Sequence, residues 1–220
     1  MITSPHNDKL KEVRRLRRRR EHRFVAEGED LLRAAGDAGW RPVYELRAGI
    51  DVEPDLLDAV SGLGSGTRAL GVFEQRWSAP IGPLCVALWG VRDPGNVGTV
   101  LRSALAFGAS SVALGPDTAD PFGPKAVRAS MGAIFAMPVA RVASIAQLPG
   151  PKVALVADAP GPLRGPGAGT LVVGAEREGL PEEVVAACDE AARIEIAGDS
   201  LNAAMAATIG LYEWTRVPDR

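Results

Sequence analysis

The chain has 220 residues, of which 46% are hydrophobic and 24% are charged, and its formal net charge is −2 at pH 7. This length suffices for one large domain or two small ones, and the composition excludes a disordered chain, a collagen-like repeat and a small disulfide-stapled scaffold. No apolar run approaches the roughly 20 residues that a bilayer-spanning helix requires.

The N-terminal segment and the cysteines favour a cytoplasmic protein. The N-terminal positive charges have no apolar stretch behind them, so we expect no secretory signal. Cys85 and Cys188 lie far apart in apolar stretches of sequence, which is typical of small buried side chains in a reducing compartment.

Positive charge is concentrated at the N-terminus. Residues 1–23 contain nine lysines and arginines against three acidic residues, a local excess of six, so the remainder of the chain sums to −8. A cationic segment on an acidic body favours capture of a polyanion such as RNA, because each neutralised phosphate releases counterions. The alternative is a solvated basic helix face. The predicted RNA-binding residues are Arg14, Arg15, Arg17, Arg18, Arg19, Arg20 and Arg23.

In chain order, residues 1–75 predict a small α/β domain. Its expected elements are a helix near 7–20, a strand at 23–28, a helix over 29–39, a strand at 42–49 and a short helix after Pro54. The stretch SGLGSGTR and the two prolines of RWSAPIGP place a linker at 76–83. A second domain then covers 84–220.

From residue 84 onward, short apolar runs alternate with helical patterns, which predicts an α/β fold with a mostly parallel sheet and helices on both faces. Ligands of such sheets bind outside the carboxyl ends of the strands. The expected strands are 84–91, 111–115, 136–142, 153–158, 170–175 and 193–196, and the expected helices start near 97, 124, 181 and 201.

The residue inventory excludes several chemistries. The histidines, His6 and His22, both lie in the basic N-terminal segment, so Ser-His-Asp and Cys-His catalysis are improbable. The sequence has no CxxC or HExxH motif for zinc, and neither a GxGxxG nor a GxxxxGK[ST] motif for nucleotides.

Polar residues nevertheless follow three of the predicted strands. Asn96 lies where the helix after the first strand would be capped, and Arg102 interrupts the apolar pattern of that helix. Glu176 follows the strand that ends at Gly174, where the glycine permits close backbone approach to a ligand. Alternatively, Asn96 and Glu176 are only capping residues, and Arg102 is an ordinary surface arginine.

The third strand end turns through Gly-Asp-Ser into a helix rich in alanine. Ser200 by itself would be interpreted as an N-cap. Its proximity to Asn202, and the recurrence of the same design at three strand ends, favour a ligand site instead. Small residues in the helix permit a close crossing within the chain or against a second subunit.

Together these segments resemble the SpoU/TrmH family of RNA ribose 2′-O-methyltransferases, within the SPOUT methyltransferases, over residues 84–216. The motifs are N-x-G-x-x-x-R-x-A at 96–104, V-x-G-x-E-x-x-G-L at 172–180 and S-L-N at 200–202, in that order. The third differs from the family pattern, because the segment 194–199 is shorter and lacks the usual proline. Residues 1–75 are similar to the substrate-binding domain of rRNA-modifying members.

The resemblance implies a C-terminal trefoil knot, a homodimer and S-adenosylmethionine as cofactor. It also implies transfer of a methyl group to a ribose 2′-hydroxyl, with rRNA as the expected substrate. The implied catalytic residues are Asn96, Arg102, Glu176, Ser200 and Asn202, and the implied cofactor contacts are Val173, Gly174, Ile194 and Leu201.

The family assigns removal of the hydroxyl proton to the arginine at the position of Arg102. Because an arginine stays protonated in proteins, we hypothesise that a substrate phosphate, together with Ser200, completes the proton relay while Arg102 orients the hydroxyl. Three alternatives stay open: a noncatalytic RNA-binding or ribosome-assembly protein on the same fold, a tRNA 2′-O-methyltransferase, and a nucleotide-dependent oxidoreductase, which the missing glycine fingerprint disfavours.

Overall fold

The chain folds around two separate β-sheets. The structure, a computed structural model, describes residues 1–19, 21–165, 167–198 and 200–216. Within these residues, a three-stranded antiparallel sheet comes from the first part of the chain, and a seven-stranded parallel sheet comes from the rest.

The first sheet has the order β1-β3-β2. Its elements are α1 (Asp8–Leu16), β1 (Arg23–Glu27), α2 (Glu29–Asp37), β2 (Tyr44–Arg47), α3 (Pro54–Asp58) and β3 (Ala69–Glu74). The central strand, β3, was not predicted, because the glycine-rich segment before it resembles a linker. The basic helix ends at Leu16 and does not continue to residue 20, so several of the N-terminal arginines follow the helix.

The second sheet has the order β6-β5-β4-β9-β7-β10-β8. Its strands are β4 (Leu84–Leu88), β5 (Ser111–Leu114), β6 (Val139–Arg141), β7 (Lys152–Leu155), β8 (Gly161–Pro162), β9 (Gly169–Val173) and β10 (Glu190–Arg193). The other elements are α4 (Pro94–Ala106), α5 (Pro124–Ala129), α6 (Ala133–Ala136), a 3-10 helix (Ile145–Gln147), α7 (Glu182–Ala186) and α8 (Ala203–Thr215). The predicted parallel α/β fold is confirmed, whereas the trefoil knot stays a prediction.

The bounds of one helix and one strand around the second sheet differ from the sequence prediction in ways that affect the functional site. Helix α4 starts at Pro94, because Asp93 caps it and proline is well tolerated in the first turn. The last predicted strand, 193–196, has the wrong bounds: β10 covers Glu190–Arg193 and pairs with β7 over Glu190–Ala192. Ile194 therefore lies in the loop that follows the strand.

An aromatic cluster joins the two sheets into one hydrophobic core. The ring of Phe24, in β1, lies 4.9 Å from that of Phe122 and 5.9 Å from that of Phe135, centroid to centroid. Trp40 donates a buried hydrogen bond from Nε1 to the carbonyl oxygen of Phe135 over 2.7 Å. The segment between the sheets is also attached to the second sheet, because the Ser78 amide donates a hydrogen bond to the Val139 carbonyl of the edge strand β6.

The two cysteines are free thiols. Cys85 is buried and Cys188 is half-buried, and burial raises the pKa of the Cys188 thiol to about 11. Both side chains pack in the same hydrophobic cluster on one face of the parallel sheet.

We expect Phe24→Ala to lower the free energy of unfolding by about 3–5 kcal/mol, because the ring packs against residues of both sheets. Urea unfolding followed by circular dichroism and by tryptophan fluorescence should give one transition at a lower midpoint. Ile50→Ala, at a residue that is 69% exposed, is the matched control and should change little. Two transitions, with only the first sheet destabilised, would contradict a shared core.

Candidate active site at the carboxyl ends of the parallel strands

The candidate site lies at the carboxyl ends of two adjacent strands whose following strands lie on opposite sides of them in the sheet. β4 and β9 are adjacent in the centre of the sheet; β5 and β6 extend from β4 on one side, and β7, β10 and β8 extend from β9 on the other. In open parallel sheets, ligands bind outside the carboxyl ends of the strands at such a switch point. The first two motifs follow β4 and β9, and therefore meet at this edge.

The loop after β4 is fixed by the cap of α4. The Asp93 carboxylate accepts hydrogen bonds from the amides of Gly95 and Asn96, at 2.6 and 3.3 Å, and pairs with the ammonium of Lys125 at 2.8 Å. Mainly the Lys125 hydrogen bond, with the two amides, lowers the pKa of Asp93. The prediction that Asn96 occupies the cap position is wrong: Asn96 lies within the first turn, and its side chain is available for other contacts.

Gly98, the glycine of the first motif, allows α4 to pack closely against α5. A Cβ at Gly98 would lie 2.3 Å from the Ala126 carbonyl oxygen and 2.7 Å from the Ala129 Cβ. Helices α4 and α5 therefore cross at a distance that only glycine permits. This close crossing fixes the start of α4 at the sheet edge.

The second motif forms a closed loop after β9. The amides and carbonyls of Ala175 and Gly179 exchange hydrogen bonds at 3.1 and 3.0 Å, and Gly179 adopts a positive φ of 67°. A Cβ at Gly174 would lie 2.3 Å from the carbonyl carbon of Gly179. The close approach that Gly174 permits is thus chiefly to its own loop, which places Glu176 towards α4.

Three of the five predicted catalytic residues are joined by side-chain hydrogen bonds. The Asn96 amide nitrogen donates to the Glu176 carboxylate, and the Asn202 amide nitrogen donates to Asn96 Oδ1 over 3.1 Å. Asn202 also caps α8, since its Oδ1 accepts from the amides of Ala204 and Met205. The expected N-cap role of Ser200 therefore belongs to Asn202.

A cavity of about 490 Å³ lies beside this network. Its floor and walls come from the ends of β7 and β9, the segment after β10 and the first turns of α8. Six predicted residues line it: Val173, Gly174, Glu176, Ile194, Ser200 and Leu201. The structure thus gathers the four predicted cofactor contacts in one place, with Glu176 as the residue common to the cavity and the hydrogen-bonded network.

Arg102 is the predicted catalytic residue that this arrangement does not include. It lies on the exposed face of α4, does not line the cavity, and makes no hydrogen bond or ion pair with the residues that the structure describes. Ser103, the next residue, faces α8 and shares a 2.7 Å hydrogen bond with Thr208. The guanidinium is consequently available to a group from outside the chain.

The predicted RNA-binding arginines divide into two groups. Arg15 pairs with Glu21 at 2.8 Å, Arg23 with Glu12 at 3.0 Å, and Arg17 donates to the Val60 carbonyl at 2.6 Å. Arg14 donates to the Pro5 carbonyl, whereas Arg18 and Arg19 are exposed and form no ion pair with any residue described. Arg20 lies outside the described residues. Spacing alone does not distinguish these groups, because they differ only in which carboxylates and backbone carbonyls the fold brings near.

Several residues of the site were not predicted from the sequence. Asp93 and Pro94 form an Asp-Pro pair that is typical of an N-cap and first helical position, and this signal was available. The cavity walls Leu155, Val156 and Arg193 carried no signal beyond their place near predicted strands. Arg193 is held there by a 2.7 Å hydrogen bond to the Ala159 carbonyl.

The described part of the chain contains neither a candidate membrane-spanning helix nor a candidate metal-binding group. No helix there combines the length and hydropathy that crossing a membrane demands. Nor do histidine, cysteine, aspartate and glutamate side chains in that part converge in a group of three or more that could hold a metal ion.

Comparison with known proteins identifies the family. A crystal structure of an AdoMet-bound rRNA methyltransferase from Sinorhizobium meliloti matches with a TM-score of 0.88 at 33% identity, covering 97% of this chain and 96% of that one. A 23S rRNA (uridine(2479)-2′-O)-methyltransferase of Streptomyces viridochromogenes is 30% identical over 212 residues, covering 87% of this chain and 67% of the relative.

A further relative is longer than this chain. The ribosomal RNA small subunit methyltransferase G 2 of Syntrophobacter fumaroxidans is 34% identical over 213 residues, which make up 88% of this chain and 39% of that relative. The model of the SpoU rRNA methylase family matches residues 83–212, from just before β4 into α8. Since this match covers more than half of the chain and contains all three motifs, the protein belongs to the SpoU rRNA methylase family.

Proposed function

We propose that this protein transfers a methyl group from S-adenosylmethionine to a ribose 2′-hydroxyl of ribosomal RNA. The observation that carries the proposal is the cavity beside the Asn96–Glu176–Asn202 network. It combines a binding site for a small molecule with polar groups at the rim that are already oriented by hydrogen bonds.

The cavity residues fit the cofactor. A volume of about 490 Å³ lies within the range of about 300–1,000 Å³ typical of small-molecule sites. Val173, Gly174, Ile194 and Leu201 offer apolar side chains and backbone groups for an adenosine moiety, and the carboxylates of Glu176 and Glu195 offer acceptors for ammonium and hydroxyl donors. When bound there, S-adenosylmethionine supplies an activated methyl group.

The protein's own residues then hold the substrate and handle the proton. The Asn96 amide is fixed at both ends, by Glu176 and Asn202, so it can orient a ribose without first losing side-chain entropy. The unpaired Arg102 orients the hydroxyl and stabilises negative charge on its oxygen. The substrate phosphate accepts the hydroxyl proton by way of the Ser200 hydroxyl at the cavity wall, because the guanidinium itself stays protonated.

The relatives and the charge pattern support rRNA as the substrate. The relatives from S. viridochromogenes and S. fumaroxidans, and the S. meliloti structure, are all named as rRNA methyltransferases. In this proposal residues 1–75 form the RNA substrate-binding domain, 76–83 the linker and 84–220 the catalytic domain. Arg18 and Arg19 supply phosphate contacts. The free thiols of Cys85 and Cys188 fit a protein of the cytoplasm.

We also propose a homodimer, formed through α4 and α8. Leu105, Met205 and Tyr212 are 43%, 58% and 50% exposed, and Tyr212 packs edge-on against Phe107 of the neighbouring helix end. Met205 and Tyr212 are seven residues apart on α8 and therefore share a face. A second copy of the chain would bury this apolar face.

Filling the cavity tests the cofactor site. Ala206 lines the cavity, so Ala206→Phe should abolish S-adenosylmethionine binding measured by calorimetry, while the wild-type protein binds the cofactor. Ala186→Phe, at an exposed position of α7, is the matched control and should bind normally. Failure of the wild-type protein to bind S-adenosylmethionine would overturn the proposed activity and favour a noncatalytic RNA-binding protein.

Asn202 allows the chemical and structural roles to be separated. Asn202→Asp keeps the oxygen that caps α8, so its stability should match that of the wild type, whereas Asn202→Ala should lose about 1 kcal/mol. Both variants lose the donor to Asn96, and methyl transfer to rRNA should fall about tenfold in both. Full activity of Asn202→Asp would show that only the cap matters.

Light scattering tests the dimer. Tyr212→Glu places a charge in the middle of the exposed face and should shift the mass from two chains to one, because burial of an unpaired carboxylate is costly. Ile50→Glu, at an exposed residue of the first sheet's region, should leave the mass unchanged. A monomeric wild-type protein, or a Tyr212→Glu variant that remains dimeric, would contradict the proposed face.

A further inference from the structure

The chain forms a second cavity, of about 690 Å³, which we call the arginine cleft. It lies between the end of α1 and the loop that follows β5. The side chains around it include three carboxylates and twice as many guanidinium groups among the described residues, so guanidinium groups predominate on its walls. The arginines are Arg17, Arg18, Arg19, Arg23, Arg92 and Arg141, and the carboxylates are Glu21, Asp117 and Asp120.

Three arginines of the cleft are able to bind an external anion. Arg18 and Arg19 form no ion pair within the described residues. Arg92 pairs with Glu178 at 3.5 Å, but both side chains are about two-thirds exposed, and such pairs contribute little. Spaced guanidinium groups along a groove are suited to successive phosphates of an RNA strand.

A flat ring surface, that of Trp77, contacts Arg141 of the cleft. Trp77 is 36% exposed, and its ring is held edge-on at 5.0 Å by the buried Phe122. The guanidinium carbon of Arg141, which also lines the arginine cleft, lies 4.3 Å from the centroid of the Trp77 ring. The indole nitrogen donates to Gln75. The Trp77 ring is therefore fixed in orientation and partly exposed, with the Arg141 guanidinium lying over one of its faces.

The cleft also extends to the segment that precedes Asn96 of the candidate active site. Arg92 and Pro94 line the cleft, and Asn96 follows in the first turn of α4. Arg141 is the last residue of β6, two strands from β4 in the same sheet, which corresponds to about 10 Å along the sheet edge. A strand of RNA that leaves the active site along this edge therefore meets Trp77 within a few nucleotides.

We propose that Trp77 and Arg141 form a stacking platform for one unpaired nucleobase of the RNA substrate, while Arg18, Arg19 and Arg92 contact the phosphates between platform and active site. Nucleobases stack on tryptophan faces and on guanidinium planes. The assignment of this RNA as the methylation substrate rests on the proposed function. A solely structural role, in which the Trp77–Arg141 contact only fastens the linker to β6, is the competing outcome.

The test measures binding of a short single-stranded RNA to the full chain over a series of salt concentrations. Trp77→Ala should weaken binding about 5- to 140-fold, the loss expected for one stacked base, with no change in the salt slope because no phosphate contact is removed. Trp77→Phe should retain most of the affinity. Ile81→Ala, at an exposed residue of the same linker, is the matched control and should bind as the wild type does.

A second measurement separates base stacking from the phosphate contacts. The double variant Arg18→Gln, Arg19→Gln should lower the salt slope by about 1.4, the value for two phosphates of a single strand, whereas Arg33→Gln on α2 should not. An abasic ribose-phosphate strand of the same length should bind equally well to the wild type and to Trp77→Ala. Equal affinity of both proteins for the base-containing strand would overturn the platform.

The proposed function and the platform can fail independently. Calorimetry with S-adenosylmethionine reports on the cofactor site, so Trp77→Ala should bind the cofactor as tightly as the wild type, which also shows that the variant is folded. If the wild type binds no cofactor, the RNA affinities still decide the platform. If methyl transfer is normal but Trp77→Ala binds RNA unchanged, the platform is wrong and the proposed function stands.

Discussion

The parallel pairing of β4 with β9 is the constraint on which the site depends. Register pairs Leu84 with Gly169 and Leu88 with Val173, so two segments about 85 residues apart in sequence end side by side. Because parallel strands expose their carboxyl ends at the same edge, the loops carrying Asn96 and Glu176 must meet there. The hydrogen bond between these two side chains is a consequence of that register.

The residues of the motifs divide between packing and chemistry. Gly98 permits the crossing of α4 and α5, and Gly174 and Gly179 close the loop after β9. The oriented polar groups of the site come from Asn96, Glu176 and Asn202. A glycine within a motif thus contributes to function by fixing where a helix or loop starts, and direct contact with a ligand is not required.

The shared aromatic core gives the proposed RNA-binding surface a fixed position. Phe24 and Trp40 pack against Phe122 and Phe135, and Phe122 in turn holds the ring of Trp77. These ring contacts therefore hold the first sheet, the segment 76–83 and the edge of the second sheet in fixed relative positions. A strand bound along the arginine cleft would be held at a constant distance from the active site, which is what alignment of a ribose hydroxyl requires.

The sequence by itself determined the fold class, the family and the identity of most polar residues in the site, because buried parallel strands are continuous apolar runs and the motifs follow their ends. Strand β3 was not predicted, since a glycine-rich segment precedes it. Helix α4 begins three residues before the predicted start, because Asp93 caps it and Pro94 is its first residue. The register of β10 could not be predicted either, since it is set by pairing with a strand 37 residues earlier.

Only the tertiary structure decided which side chains meet. Nothing local in the sequence relates Trp77 to Arg141, or separates the paired Arg17 and Arg23 from Arg18 and Arg19. Side-chain partners depend on strand order and helix packing, whereas local patterns report only burial and period. The sequence therefore identified the candidate groups of the site, and the fold determined which of them have partners among the described residues.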